Sequence, residues 1–301
     1  MDDPLDIIRK SSKRLDDDAR ELAEFTVKLL KSIKRDTEQK LIELAGGDVE
    51  ASVQAGSINA MDKAVNEALK DAMELIKPKA YQLFQKGYES QFLSQVAQVQ
   101  AFESAASSKI RTKKIDRLSL FEPRVSRSVV KASFDSSFTK LSEGLQSVKN
   151  PLKQILARGV LTGSGYDSVI SEIQGNGILK GTFEQVQFSA QRIAVTETTK
   201  IYNAARYDSL TQINDSLSES EQLQYRWVAL LDRRTSRRCR SLHGQVREQG
   251  QAFKASDGWT GLMPAAHPHC RSEIVAHRPE WEELFRELDE QINKGNQNDD
   301  Q

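Results

Sequence analysis

One stretch decides the fold of the second half of the chain: its letters are QRIAVTETTKIYNAARYDSLTQI, residues 191–213. Apolar residues recur here every three or four positions, which is typical of one face of an α-helix. Thr182 and Gln185 lie upstream at the spacing of a capping box, so the sequence predicts a helix that starts at Thr182 and ends near Ile213. The predicted apolar stripe consists of Phe183, Val186, Ala190, Ile193, Ala194, Ile201, Ala204 and Ala205.

Glu197 interrupts this stripe, between Ile193 and Ile201. A carboxylate on a buried face has to be neutralised or hydrogen-bonded, and we expect an arginine or backbone amides of the small C-terminal domain to do this. The position therefore predicts a structural latch, with a catalytic acid as the alternative.

After this helix the pattern changes to that of a small α+β module. Tyr225, Trp227 and Leu231 alternate with shorter or polar residues as in a strand. The following fifty or so residues contain glycine and proline, as loops do. We predict a module over residues 224–277, followed over residues 278–301 by an acidic helix and a flexible polar tail.

All cysteines and histidines of the chain lie in this module: Cys239, His243, His267, His269, Cys270 and His277. Cys239 and His243 are four residues apart, which places both side chains on one face of a helical turn. His267 and Cys270 follow after a loop, with His269 as an alternative ligand. Such a set of two cysteines and two histidines fits tetrahedral zinc, whose bonds can replace the core that a small module lacks.

The residue types alone favour a plainer interpretation, in which the cysteines are small buried residues and the histidines bond backbone carbonyls. A Cys239–Cys270 disulfide is a further alternative, which a reducing compartment opposes. A nucleophilic Cys–His pair is another, but no third orienting group is identifiable for it. Zinc is thus a minority hypothesis beside simple packing, and no other cofactor is predicted.

The module is also rich in arginine between residues 226 and 247, where Asp232 is the only acidic residue. Dense guanidinium groups suit phosphate. We therefore expect nonspecific DNA-backbone or acidic-partner contact through Arg233, Arg234, Arg237, Arg238 and Arg240. Pairing with the acidic helix and a simply solvated face are the alternatives.

The first half of the chain has the pattern of long helices. Heptad spacing predicts one over residues 4–45, with the apolar positions Leu5, Ile8, Leu15, Ala19, Leu22, Leu29 and Ile33. A second starts near residue 57, is expected to kink or end at Pro78, and resumes to about residue 106. Residues 1–106 are therefore predicted to form an elongated helical region.

A basic connector and a helix near 127–147 are predicted within residues 107–150. Short helices near 151–158 and 166–173 open the next predicted domain, residues 151–277. The predicted fold class is mainly α: an elongated helical N-terminal region with a small α+β C-terminal domain.

Composition excludes several classes of protein. Lys+Arg 43 balances Asp+Glu 43, so bulk charge would not bind nucleic acid. A mean hydropathy of −0.57 and the lack of a run of about 18 apolar residues argue against a membrane span. The acidic start argues against a signal peptide, and two cysteines make no disulfide framework, so a reducing compartment is expected.

Five short motifs follow one another in the second half: AVTET at 194–198, Trp227, DRRT at 232–235, Cys239 with LHG at 242–244, and HPHCR at 267–271. Their order resembles the phage head morphogenesis family, the minor head proteins similar to protein F of phage Mu. Two departures stand out. Val195 lies where the family usually has arginine, and Ser236 and Ser272 lie where many relatives have cysteine, so a metal here would need histidine ligands.

The resemblance implies a low-copy virion protein at or near the portal vertex that acts in head assembly, DNA packaging or DNA delivery. The implied partners are the portal protein and other head proteins, with no membrane and no small-molecule substrate. The implied location is the head interior or portal vertex, and the host cytoplasm during assembly. We expect Glu197, Trp227, Asp232 and the Cys/His cluster to hold the module, and no catalysis.

Two other functions remain open from the sequence. A metal-dependent nuclease or hydrolase, or an effector delivered with the DNA, would use the Cys/His cluster with an open metal position. A coiled-coil assembly scaffold would use the heptads of residues 4–45.

Overall fold

A computed structural model describes residues 4–44, 55–109, 124–125, 127–146, 150, 178–287 and 289–290. Four long helices and a small region of short antiparallel strands make up these residues. The predicted class, mainly α with a small α+β C-terminal part, is confirmed. The helices predicted near 151–158 and 166–173, most of the connector and the polar tail lie outside the described residues.

The long helices are α1 (Pro4–Leu44), α2 (Ala55–Lys109), α3 (Arg127–Gln146) and α4 (Ile178–Asp215). Helices α1 and α3 match their predicted bounds closely. In α1 the heptad residues Ile8, Leu15, Ala19 and Leu22 are buried, as an apolar stripe requires.

One predicted helix start is wrong, and so is one predicted helix end. Helix α2 continues through Pro78 and does not end there, and the alternative of a kink at Pro78 stays a prediction. Helix α4 begins at Ile178, so Thr182 lies inside it and the predicted capping box is not its start.

The chain divides into two compact units that are not continuous in sequence. One contains the described parts of residues 1–19, 83–134 and 195–301, and the other those of 20–82 and 135–194. All four long helices contribute to both units. The predicted domains are consecutive segments, and their boundaries stay a prediction.

The first unit has an aromatic core in which α2 contacts Trp281 and Phe285. Phe102 of α2 lies 5.1 Å from Trp281 and 4.9 Å from Phe285, measured between ring centroids. Trp281 ends the 3-10 turn Pro279–Trp281, and helical turns follow over residues 282–290 except for residue 288, which is not described. Gly87 of α2 lets the helix approach Tyr202 of α4 so closely that a Cβ atom would lie 2.3 Å from the ring.

The module in this unit is built on a three-stranded antiparallel sheet. Strand β1 (Gln224–Val228) lies between β2 (Val246–Arg247) and β5 (Glu273–His277). A second pair, β3 (Phe253–Lys254) and β4 (Thr260–Gly261), packs its side chains beside β1. Trp227 is fully buried, in edge contact with Phe253 and Trp259 at 5.3 and 5.7 Å between centroids.

The connection from β1 to β2 carries the short helix α5 (Arg237–Leu242). Every residue of β5 is buried, so α4 and the sheet enclose this strand. Helix α5 carries Cys239, and the segment before β5 carries Cys270. None of the helices that the structure describes is long and apolar enough to cross a bilayer.

Candidate functional site

Cys239, His267 and Cys270 form a compact group in the module. Each offers one ligand atom, and the three atoms lie within 4.8 Å of one another. Cys239 Sγ lies 3.6 Å from Cys270 Sγ and 2.9 Å from His267 Nε2. Both cysteines are buried free thiols, so the alternative of a disulfide is not the state described here. The two thiols and one of the four imidazoles therefore meet within the module.

Local structure positions each of these side chains. Ser236 is the N-cap of α5, and its Oγ accepts a hydrogen bond of 3.1 Å from Cys239 N. Thr199 Oγ1 donates a 2.9 Å hydrogen bond to Cys270 O, which fixes the backbone of the second cysteine against α4. The group is therefore held from α5 on one side and from α4 on the other.

The hydrogen bonds of His267 define its tautomer. His267 Nδ1 lies 2.7 Å from Pro268 O, and a carbonyl oxygen only accepts, so Nδ1 carries the proton. Nε2 of the neutral ring then has a lone pair. That lone pair faces Cys239 Sγ and, at 2.8 Å, Ser236 Oγ. This is the form in which imidazole binds a metal ion.

The two thiols differ in acidity. A hydrogen bond from Cys270 lowers the pKa of Cys239 to about 6, with further lowering by Ser272, Ser236 and the charge of Arg238, against an opposing effect of burial. The same contact with Cys239, together with burial, raises the pKa of Cys270. Cys239 is thus the thiol that ionises first.

The donor set fits a tetrahedral zinc ion. Two sulfurs at the usual Zn–S distance of about 2.3 Å are about 3.8 Å apart in a tetrahedron, close to the observed 3.6 Å. A sulfur and an imidazole nitrogen would be about 3.6 Å apart, so the ring of His267 would have to move by less than about 1 Å. Thiolate and imidazole donors also match zinc in softness.

A small recess adjoins the group. Its lining residues are Leu230, Arg234, Thr235, Ser236, Cys239, His267, His269, Arg271 and Ser272. Cys239 lines the recess, whereas Cys270 lies behind it and is fully buried. Solvent therefore reaches the group from the Cys239 side.

His243, predicted as the second ligand, is not part of this group. Helix α5 ends at Leu242 and the backbone of His243 is extended, so the helical i, i+4 geometry that the prediction used does not apply. His243 Nδ1 accepts a hydrogen bond from Ala229 N at 3.1 Å, and Nε2 lies 3.2 Å from Asp289 Oδ1.

The alternative ligand, His269, is also outside the group. Its side chain is exposed, and its backbone has a φ of 57°. The backbone N–H of His269 donates to Thr196 Oγ1 at 3.2 Å. The predicted set of four ligands is therefore corrected to Cys239, His267 and Cys270.

Glu197, the predicted latch, is 5% exposed. Lys200 Nζ lies 2.6 Å from Glu197 Oε1, an ion pair one turn along the same helix. Residue 197 is therefore buried, this ion pair is with a lysine of its own helix and not with the predicted arginine, and its role as a latch stays a prediction.

A row of polar side chains on α4, missed in the sequence, fastens the module. Asn203 Nδ2 donates to Ser272 O at 3.1 Å, and Asn203 Oδ1 accepts from Ile274 N at 2.9 Å. With Thr199 and Arg206, Asn203 forms an i, i+4, i+7 series along one face of α4. This face bonds the backbone of residues 270–274 as a neighbouring strand would.

Arg206 ends the row as a buried cation, 2% exposed. It donates to Ile274 O at 3.2 Å and to Gln91 Oε1, and lies 2.5 Å from Glu273 Oε2. Because both members of the ion pair are buried, removing either would leave an uncompensated charge.

Asp232 and Trp227 support the module on its other sides. Arg271 binds Asp232 through two hydrogen bonds of 2.7 and 2.6 Å. These bonds lower the pKa of Asp232 to about 2, with help from Thr235 and the backbone of Arg234. The pair ties the turn after β1 to the residue that follows Cys270.

The arginines proposed for DNA or an acidic partner fall into two groups. Arg238 bonds Asp257 Oδ2 at 2.7 Å and Ala266 O at 2.6 Å, and Arg240 bonds backbone carbonyls of Thr235 and Asp232. The other three, Arg233, Arg234 and Arg237, are exposed.

The sequence analysis gave pairing with the acidic helix as an alternative role for the arginine-rich segment. The arginine that makes this pairing is Arg226, which is not one of the five proposed to contact DNA or an acidic partner. Arg226 is buried and lies 2.9 Å from Glu282 Oε2 and 3.3 Å from Asp289 Oδ2, with its guanidinium over Phe285. His277 Nε2 is 2.9 Å from the same Glu282 Oε2.

No curated protein and no solved structure matches the chain at a significant level. Residues 150–275 match the family model described as Phage Mu protein F like protein. This span contains all five motifs quoted above and the Cys239, His267 and Cys270 group. The match confirms the predicted resemblance to the phage Mu protein F-like family and indicates a phage head morphogenesis protein.

Proposed function

We propose that this chain is a structural minor head protein of a tailed phage, bound at or near the portal vertex and acting in head assembly, DNA packaging or DNA delivery. The family match over residues 150–275 carries the proposal. The geometry supports a structural role, because the polar groups of the site serve to fasten β5 and α5 to α4. The long helices offer extended surfaces for other head proteins, the portal protein among them.

Within this role, the module is a rigid anchor. Thr199, Asn203 and Arg206 bond the backbone of residues 270–274 from one side, and Asp232 binds Arg271 from another.

The group of Cys239, His267 and Cys270 is proposed to bind one structural zinc ion. Burial of both sulfurs and the lone pair on His267 Nε2 support this assignment, and the nearby recess leaves room for a water or hydroxyl group as fourth ligand. Elemental analysis of the purified chain tests it: one zinc per chain is the expected result, and no bound zinc would favour simple packing.

Contact with DNA is proposed for the exposed arginines. Arg234 and Arg237 project from the turn and from the start of α5, whereas Arg238 and Arg240 are engaged within the module. Binding to duplex DNA should be nonspecific and should weaken steeply with salt. The double variant R234A/R237A should weaken it, and R238A should act mainly on stability.

Co-sedimentation with purified portal rings tests the central part of the proposal. The chain should pellet with the rings and should stay in the supernatant without them. A chain that binds neither portal rings nor procapsids would contradict the proposal.

The catalytic alternative is tested separately. Measurable nuclease or hydrolase turnover that a folded H267A variant lacks would favour an enzyme over a structural protein.

A further inference from the structure

The two thiols differ in their access to solvent, and they lie close to each other. Cys239 lines the small recess, and Cys270, fully buried, lies behind it with its sulfur 3.6 Å from that of Cys239. A small reagent entering the recess meets Cys239 first. The Cys270 sulfur is close enough to react with an oxidised Cys239 sulfur.

We propose that Cys239 and Cys270 are a peroxide-reactive pair, in which Cys239 is oxidised first and Cys270 then closes a disulfide with it. The oxidant class is a small peroxide, with hydrogen peroxide as the simplest member. The recess favours such a reagent, because it is too narrow for a peptide-sized disulfide.

Each step of the reaction is balanced. The Cys239 sulfur attacks one peroxide oxygen, the O–O bond breaks, and the leaving hydroxide takes up the thiol proton as water, which leaves a sulfenic acid on Cys239. The Cys270 sulfur then attacks the Cys239 sulfur, the S–O bond breaks, and the hydroxide leaves as water with the Cys270 proton. Two thiols lose two electrons in total, and one peroxide becomes two waters.

The surroundings favour closure over further oxidation. Thr199 Oγ1 bonds Cys270 O, and Ser236 Oγ accepts from Cys239 N, so both backbones are fixed beside each other. To form a bond, the sulfurs have to approach by about 1.6 Å from their present separation. Side-chain rotation about the Cα–Cβ bonds supplies a movement of this size.

The consequence rests on the proposed function as a head protein. A head assembles in a reducing cytoplasm and is released into oxidising surroundings. During assembly the two cysteines would be reduced thiols, free to hold zinc. In the released particle they would form a disulfide that links α5 to the segment before β5.

Mass spectrometry of the purified, zinc-free chain tests the reaction directly, because the chain has only two cysteines. With hydrogen peroxide in small excess, the wild type should lose about 2 Da and yield a Cys239–Cys270 cross-linked peptide. C270S should stop at a gain of about 16 Da that dimedone traps on Cys239. C239S should react at least about tenfold more slowly than C270S, because its remaining thiol, Cys270, does not line the recess.

Several results would overturn the proposal. It is wrong if C239S loses its thiol as fast as C270S, or if the wild type gives sulfinic acid or intermolecular dimers instead of the internal disulfide. If the serine variants fail to fold, partial alkylation of the wild type with iodoacetamide decides the order: modification should appear at Cys239 first, and earlier labelling of Cys270 would contradict the proposal.

Zinc provides an independent check. Preloading the chain with zinc should slow disulfide formation, since the metal and the disulfide use the same sulfurs, and equal rates would contradict that shared use. If no zinc binds, the zinc centre of the proposed function fails, while the peroxide experiment on the metal-free chain still decides this inference. Co-sedimentation with portal rings, which tests the proposed head-protein role, is a separate experiment from the zinc and the peroxide measurements.

Discussion

Replacing Thr199 by valine tests how α4 holds the module. Valine keeps the shape of threonine but loses the hydroxyl, which donates to Cys270 O at 2.9 Å and also contacts Val195 O at 3.1 Å on its own helix. The carbonyl of Cys270 is then left without this donor in a buried site. A buried group deprived of its partner costs about 1–3 kcal/mol, part of which the added methyl group offsets. We expect T199V to lower the free energy of unfolding by about 1–2 kcal/mol.

Thr139 provides a matched control. Its hydroxyl makes the same i, i−4 bond, to Asp135 O at 2.8 Å, but its side chain is exposed. The variant T139V should therefore change the free energy of unfolding by less than about 0.5 kcal/mol. Comparing the two variants isolates the bond to Cys270 from the local helix bond.

Far-UV circular dichroism during urea unfolding is a suitable assay, because it reports on the helices of both units, whereas Trp227, Trp259 and Trp281 all lie in the first unit and Thr139 lies in the second. With an m-value of about 2 kcal/mol/M, the midpoint for T199V should fall by roughly 0.5–1 M urea. The reasoning is refuted if T199V unfolds at the same urea concentration as T139V.

Three further variants test other parts of the account. H267A should lose bound zinc, whereas H243A should keep it, because His243 bonds Ala229 N and contacts Asp289 instead. Elemental analysis of both variants checks this, and equal loss of zinc would contradict the corrected ligand set. Pairing with Arg271 lowers the pKa of Asp232 from 3.8 to about 2, and because solvent screens this partly exposed pair, the contribution to stability is about 1 kcal/mol, present above pH 4 and lost as the pH falls towards 2. D232N should therefore be less stable than wild type by about that amount at pH 7, and the difference measured by urea unfolding should shrink towards pH 2; a difference independent of pH would contradict the Arg271 pairing. G87A should destabilise the first unit by about 1–2 kcal/mol despite the better helix propensity of alanine, because the new Cβ would lie 2.3 Å from the Tyr202 ring. Thermal unfolding measures this, and a G87A variant that unfolds at or above the wild-type temperature would contradict the close approach of α2 to Tyr202.

The sequence predicted those features that depend on local periodicity. The heptads of α1, the start of β1 at Gln224 and the end of α4 near Ile213 all follow from spacing that one helix or strand imposes on its own residues. The clustering of thiols and imidazoles also predicted that Cys239, His267 and Cys270 meet, because a small module leaves few buried places for them.

The remaining features could not be predicted from spacing alone. Helical spacing assigns His243 to the cluster, but α5 ends at Leu242 and His243 lies beyond it. The sequence predicts that α2 kinks or ends at Pro78, and the structure shows that it does not end there. Asn203 and Arg206 carried a signal that was available: like Glu197, they are polar residues on a stripe that has to be buried, and each therefore needed a partner.

Particle composition tests the central claim most directly. Purified mature particles of the phage that encodes this chain should retain it at low copy number relative to the major capsid protein, because a minor head protein stays in the virion. Its absence from mature particles, with presence only in precursor heads, would contradict the account and favour an assembly scaffold.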